Sequence, residues 1–156
     1  MVCCSFPRRL ADAAGAPARV SSRNIRDELL KEDSLLPAIY LTQKLDIAVV
    51  GIGYPNEKSA IMATGYFKEN EIESLIDRKV AGELCMQFYD IYGDTAPYKD
   101  DNNVIGMDIS MLRSVPRSIG IAGGVEKLRA VRGAINGHYI NTLITDIECA
   151  EALISE

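Results

Sequence analysis

The chain has no tryptophan, only three phenylalanines and a single histidine among its 156 residues. One histidine argues against chemistry built on several imidazoles, such as a His-rich metal set. No Gly-x-Ser-x-Gly elbow occurs, so a serine hydrolase of the α/β type is not indicated. The four cysteines, Cys3, Cys4, Cys85 and Cys149, form no Cys-x-x-Cys pair that a second pair or a histidine completes. Adjacent Cys3 and Cys4 cannot readily turn toward one metal, and Cys85 and Cys149 sit in apolar patterns where a thiol behaves as a small hydrophobe. No metal and no cofactor is expected. No apolar run approaches the roughly 20 residues of a membrane helix, and the first residues lack the apolar core of a secretory signal. The expected location is the cytoplasm, with no membrane partner. Basic residues are also scarce: 17 Lys and Arg against 22 Asp and Glu give a formal net charge of −5. That balance argues against a nucleic-acid surface on this chain.

What is present is the composition of one globular domain, 47% hydrophobic and 25% charged. At this length a domain buries roughly 70% of its unfolded surface. Residues 8–14 read as a short helix ended by Gly15. Two further short helices follow from Ser22, which is placed as an N-cap, with Pro37 in the first turn of the second, capped near Ser34. Residues 46–53 form a nearly continuous apolar run that predicts a parallel strand buried on both faces and ending at Gly51 and Gly53. A helix is expected over 69–79, acidic first and basic last. Residues 81–90 alternate as a strand with Leu84, Met86 and Phe88 on one face and Glu83, Cys85, Gln87 and Tyr89 on the other. Residues 93–103 read as a loop and 110–114 as a helical turn stopped by Pro116. Then come a strand over 117–122, a Gly123-Gly124 turn, a helix over 125–136 with Gly137 as its cap, a strand over 139–145, and a last helix capped by Asp146. Strands alternating with helices predict an α/β fold with a largely parallel sheet in one domain.

Two glycine turns stand out as candidate sites. A strand entering a helix through Gly123-Gly124 directs free backbone N–H groups and the helix dipole toward the turn, and Lys127 adds a cation for a phosphate. The same glycines also serve a plain tight turn. Neither a P-loop nor a Gly-x-Gly-x-x-Gly fingerprint is present. Gly51 and Gly53 end the other buried strand, and ligands of open α/β sheets sit beyond the carboxyl ends of strands, so both turns are expected to face one crevice. Glu83 is a candidate to accept sugar hydroxyls or act as a base, or else an exposed strand-start carboxylate. Asp90 reads as a turn former or an acid. His138, after Gly137, fits a helix end better than catalysis. Arg113, Arg117, Arg129 and Arg132 are candidates for a basic patch by the Gly-Gly turn, or for ordinary solvation.

The chain of blocks resembles the C-terminal sugar-binding (effector) domain of SorC-type transcriptional regulators. The blocks are residues 46–53, 80–85 with 88–90 and Gly93, 104–106, 112–117, 122–127 and 130–134 through 143–146. The likeness runs from about residue 8 to the end. It implies a Rossmann-like, mostly parallel sheet with flanking helices, akin to sugar-phosphate isomerases and CoA transferases, that binds a phosphorylated sugar and thereby tunes DNA binding by an attached helix-turn-helix. On that pattern Gly123, Gly124 and Lys127 hold phosphate, Gly51, Gly53, Glu83 and Asp90 line the sugar side, no residue is catalytic, and the protein is a homo-oligomer, a dimer or tetramer. The chain departs from the family in three ways. The helix-turn-helix and the first sheet strand with its glycine-rich turn are not in it, residues 16–22 are shorter than usual, and Gln87 stands where arginine is frequent. The expectation is a single, partial effector domain over 1–156, whose sheet has an apolar face and edge uncovered. The alternatives are an isomerase-like enzyme using Glu83 or Asp90, and an oligomerising remnant that senses nothing.

Overall fold

A computed structural model describes residues 16–56 and 59–155; the expected helix over 8–14 and the Cys3-Cys4 pair lie outside the described residues. Helix α1 (Arg23–Leu29) begins at Ser22, whose hydroxyl accepts from the Ile25 amide at 3.4 Å. Helix α2 (Leu36–Thr42) has Pro37 in its first turn, and Leu35 rather than Ser34 holds its N-cap position, with no side-chain capping bond. Strand β1 (Ile47–Gly51) follows, then α3 (Ala60–Ala63) and α4 (Glu69–Asp77). The α4 start is closed by the Glu71 carboxylate, which accepts the Lys68 amide at 2.9 Å. The basic residues expected in its last turn fall just past its end, at Arg78 and Lys79.

Residues 82–89 are not one strand. They form a hairpin of β2 (Gly82–Leu84) and β3 (Gln87–Tyr89), because Cys85 and Met86 both adopt positive φ, 52° and 62°, in a two-residue turn. Reversal of the chain undoes the expected faces. Glu83 now opposes Phe88 while Leu84 opposes Gln87, so Glu83 and Gln87 look in opposite directions. Strand β4 (Arg117–Ile121) leads through the Gly-Gly turn and a 3-10 turn (Val125–Lys127) into α5 (Leu128–Asn136), and β5 (Thr142–Ile144) leads into α6 (Ile147–Ser155). The main sheet has the order β1-β4-β5, all parallel. The α/β class follows directly.

One face of this sheet makes the core. Ala48, Val50 and Ile52 pack with Leu84 and Tyr89 of the hairpin, Ala130, Val131 and Ala134 of α5, and Cys149 of α6. A second cluster, including Phe67, Ile72, Leu75, Met86, Phe88 and Tyr98, fills the space under α4 and the far side of the hairpin. The opposite sheet face corrects the expectation of a strand buried on both sides: Ile47 is 55% exposed, Val49 43%, Ile121 45% and Ile144 53%. Among the described residues nothing is paired to the outer edge of β1. Among the described residues only one side of this run is covered.

Where α5 ends, Gly137 is the cap and His138, at φ 55°, takes the left-handed position that follows it, with the Tyr139 amide donating to Ala134 O. The loop after β3 crosses the helix at this point. A Cβ on Gly93, whose φ is 79°, would lie 2.2 Å from the Gly137 Cα. Gly93→Ala should therefore cost about 3 kcal/mol of stability, the sum of a positive-φ penalty and a clash with backbone. Gly106→Ala, whose nearest neighbour would be 3.9 Å away, should stay within about 0.5 kcal/mol. Urea denaturation of both variants checks this; a small Gly93→Ala effect would show that the crossing is loose.

Candidate functional site

The carboxyl ends of β1 and β4 lie side by side, Gly51 opposite Ile121, and Ile52 N–H extends the pairing to Ile121 O at 2.9 Å. Gly53 then leaves the sheet and pairs with the hairpin: its N–H donates to Glu83 O at 3.0 Å, and Glu83 N–H donates to Gly53 O at 2.8 Å. This exchange delivers Glu83 to the strand ends. Its side chain lies directly over the Gly53 Cα, where a Cβ would meet Oε1 at 2.1 Å. A side chain at 53 would have to displace the Glu83 carboxylate.

Glu83 is not the exposed carboxylate that the sequence allowed. The residue is half-buried, but its acid end is desolvated, and this burial raises its pKa. The Met86 amide, which donates to Oε2 at 2.9 Å, and the charge of nearby Lys127 pull the other way. Behind it the buried Tyr89 hydroxyl donates to Ala130 O at 3.0 Å and ties the hairpin to α5.

At the Gly-Gly turn Gly124 has φ 93° and ψ 139°, a backbone that only glycine adopts readily. Its N–H donates to Asp146 Oδ2 at 2.5 Å. Asp146 also caps α6, its Oδ1 accepting the Cys149 amide at 2.8 Å, and these two bonds hold its pKa below the usual carboxylate range. The Glu126 carboxylate folds back over Gly124 from the exposed side. Lys127 N–H closes the 3-10 turn onto Gly124 O at 3.1 Å, so its side chain leaves the same turn. The turn is therefore flanked by two carboxylates and one lysine, with the Gly124 amide already engaged.

The structure thus gathers Gly51, Gly53, Glu83, Gly123, Gly124 and Lys127 at one end of the sheet. Asp90 is elsewhere. Its Oδ1 accepts the Tyr92 and Asp94 amides at 2.9 and 2.8 Å, and its carbonyl lies beside Gly133, midway along α5. It is a turn former, which its place before Gly93 had permitted. Of the four candidate arginines only Arg129, exposed in the first turn of α5, is near the Gly-Gly turn. Arg117 opens β4 at the opposite end of the strand, Arg132 donates to Leu153 O at 3.3 Å, and Arg113 donates to Gly137 O at 2.8 Å, capping the far end of α5 beneath the Tyr139 ring. Those spacings were read along the chain, whereas the helix separates its own two ends. An open cleft between Arg113, Asp94 and His138 lies at that far end. Asp146 was legible only as a helix cap. Its position after the third parallel strand, at the same end as both glycine turns, is the signal that could have placed it in the site. Among the described residues no group of three His, Cys, Asp or Glu side chains could hold a metal, and no helix is long and apolar enough to cross a membrane.

These features, a parallel sheet with carboxylates and a lysine gathered at its strand ends, define an α/β domain, and comparison with known proteins specifies its kind. Residues 11–155 match the family model described as "Putative sugar-binding domain". The chain belongs to this sugar-binding domain family. It is 33% identical over 141 residues to the sorbitol operon regulator of Klebsiella pneumoniae, covering 90% of this chain and 45% of that one. It is 36% identical over 142 residues to the transcriptional regulator LsrR of Escherichia coli K12, covering 89% and 45%. Among solved structures, the full-length sorbitol operon regulator SorC of K. pneumoniae superposes with TM-score 0.75 at 35% identity, over 88% of this chain and 44% of that one. A DeoR family transcriptional regulator of Listeria monocytogenes superposes with TM-score 0.82 at 26% identity, over 90% and 57%. The chain spans about half the length of the curated relatives it matches.

The raised pKa of Glu83 fixes a sign. The folded protein holds this proton to higher pH than the unfolded chain, so Glu83 costs stability increasingly as pH rises through the window above the ordinary carboxylate range. Glu83→Gln should gain stability relative to the parent between about pH 4 and about pH 7.5, measured by urea unfolding at both. An unchanged difference would mean that the carboxylate is solvated.

Proposed function

We propose that this chain is the effector-binding part of a sugar-responsive transcriptional regulator, and that its effector is a phosphorylated sugar. The observation that supports this best is the convergence of Glu83, held over Gly53, with the Gly123-Gly124 turn and Lys127 at the strand ends. A desolvated carboxylate accepts sugar hydroxyls. Lys127 and the α5 N-terminus supply positive charge for a phosphate, and among the described residues the Val125 and Glu126 amides have no acceptor. The Glu126 side chain, exposed and long, swings aside at small cost. In this reading Gly51 and Gly53 leave room beside the sugar, and Gly124 shapes the turn.

Binding without turnover is part of the same proposal. A proton-transfer mechanism on a sugar needs an acid and a base converging on it; Glu83 is in place, but Asp90 is committed to its loop. The relatives are named as regulators. DNA would be contacted by a helix-turn-helix outside this chain, in the cytoplasm, by a dimer or tetramer whose contacts would cover apolar surface such as Ile47, Val49 and Ile144.

A phosphosugar at about 100 times its Kd should add roughly 2.7 kcal/mol of stability. In a thermal-melt series with ribose 5-phosphate, glucosamine 6-phosphate and their parent sugars, only phosphorylated members should shift Tm strongly, and Lys127→Ala should reduce the shift. Equal shifts with parent sugars would overturn the phosphate assignment, and turnover abolished by Glu83→Gln would make the protein an enzyme.

A further inference from the structure

The side chain that crowds the Gly123-Gly124 turn from the β5 side is Asp146. A Cβ on Gly123 would lie 2.8 Å from Asp146 Oδ2, the same oxygen that takes the Gly124 N–H. The other oxygen is fixed by the Cys149 amide, and Cys149 is fully buried against the core. Asp146 thus links a rigid point, the start of α6, to the backbone at the start of the α5 turn. An ionised carboxylate suits both amides, and the two bonds keep it ionised.

We infer that Asp146 is a positioning residue for the anion site. Its carboxylate clamps the Gly124 peptide in its positive-φ geometry, so that the next two amides, Val125 and Glu126, and not Gly124, receive a ligand's phosphate beside Lys127. The inference rests on the functional reading above and adds to it which amides remain for the ligand and what holds them. An unrestrained glycine at φ 93° has wide freedom, and a donor pair that wanders binds an anion poorly. The clamp also sets a test of sign. Asp146 and a phosphate are both negative, so electrostatics alone predicts that removing the carboxylate tightens phosphate binding. Loss of a clamp predicts the reverse.

Two substitutions separate the clamp from the helix cap. Serine is a good N-cap but too short to span to Gly124, so Asp146→Ser keeps an acceptor for Cys149 and releases the turn. Asp146→Asn keeps the reach but has one acceptor oxygen for two amides. With the parent as reference, titration calorimetry against ribose 5-phosphate, or whichever phosphosugar gives the largest melt shift, should show at least a tenfold weaker Kd for Asp146→Ser and a smaller loss for Asp146→Asn. Affinity for the parent sugar should hold. Amide exchange followed by NMR should show Gly124 protected in the parent and released in Asp146→Ser, with helix α6 protection retained, which certifies the fold. Titration of the parent should shift Val125 and Glu126 while Gly124 stays protected. Equal or tighter phosphosugar binding by a folded Asp146→Ser overturns the inference, as does loss of Gly124 protection when ligand binds, since Asp146 would then be a competitor for the site. Failure of the parent to bind any phosphosugar is a distinct result: it removes the functional reading and the inference with it.

Discussion

The site depends on one reciprocal backbone exchange, between Gly53 and Glu83. Without it the 82–89 hairpin is a separate ribbon, and the end of β1 is an edge of glycines with nothing opposite. With it the hairpin joins the sheet, Glu83 lies across the strand ends, and Tyr89 reaches α5 from the other side of the same ribbon. The exchange sets the Glu83 carboxylate in the volume that a Cβ at 53 would need. It also requires a tight reversal at Cys85 and Met86, which turns Glu83 inward while the next apolar pair faces the core. Packing and site geometry here are the same contact viewed from two sides.

The charge pattern around the crevice is mixed. Glu83 is desolvated, Asp146 is ionised and used by the backbone, Glu126 is at the rim, and Lys127 is the cation near them. A surface rich in arginine would attract any anion. Here Lys127 and two amides stand among carboxylates, with Arg129 exposed in the first turn of α5. On the reading proposed above, such an arrangement would favour a ligand carrying both a phosphate and several hydroxyl groups over a bare anion. Two arginines serve structure: Arg113 closes the carboxyl end of α5, and Arg19 joins Glu71 at 2.7 Å while lying over the Phe67 ring.

The sheet itself is half-clothed. One face is packed under α5 and the hairpin, while Ile47, Val49, Ile121 and Ile144 lie open on the other, beside the edge of β1 to which no described strand is paired. A contiguous apolar surface of this kind is normally covered by more chain or by another subunit.

Amino-acid order by itself determined the alternation of strands and helices, the caps at Ser22 and Asp146, the two glycine turns and their placement at strand ends, because each follows from local periodicity or from the backbone freedom of one residue type. It did not determine the hairpin. The stretch 81–90 alternates perfectly as a strand, and only the tertiary demand that Leu84 enter one core and Phe88 another forces Cys85 and Met86 into the left-handed region. Nor could it separate Asp90 from Glu83, or Arg113 from the Gly-Gly turn, since residues near in sequence or pattern are held apart by the length of α5. That Asp146 meets Gly124 was decided by the parallel register of β4 and β5, which brings two strand ends 22 residues apart to one place.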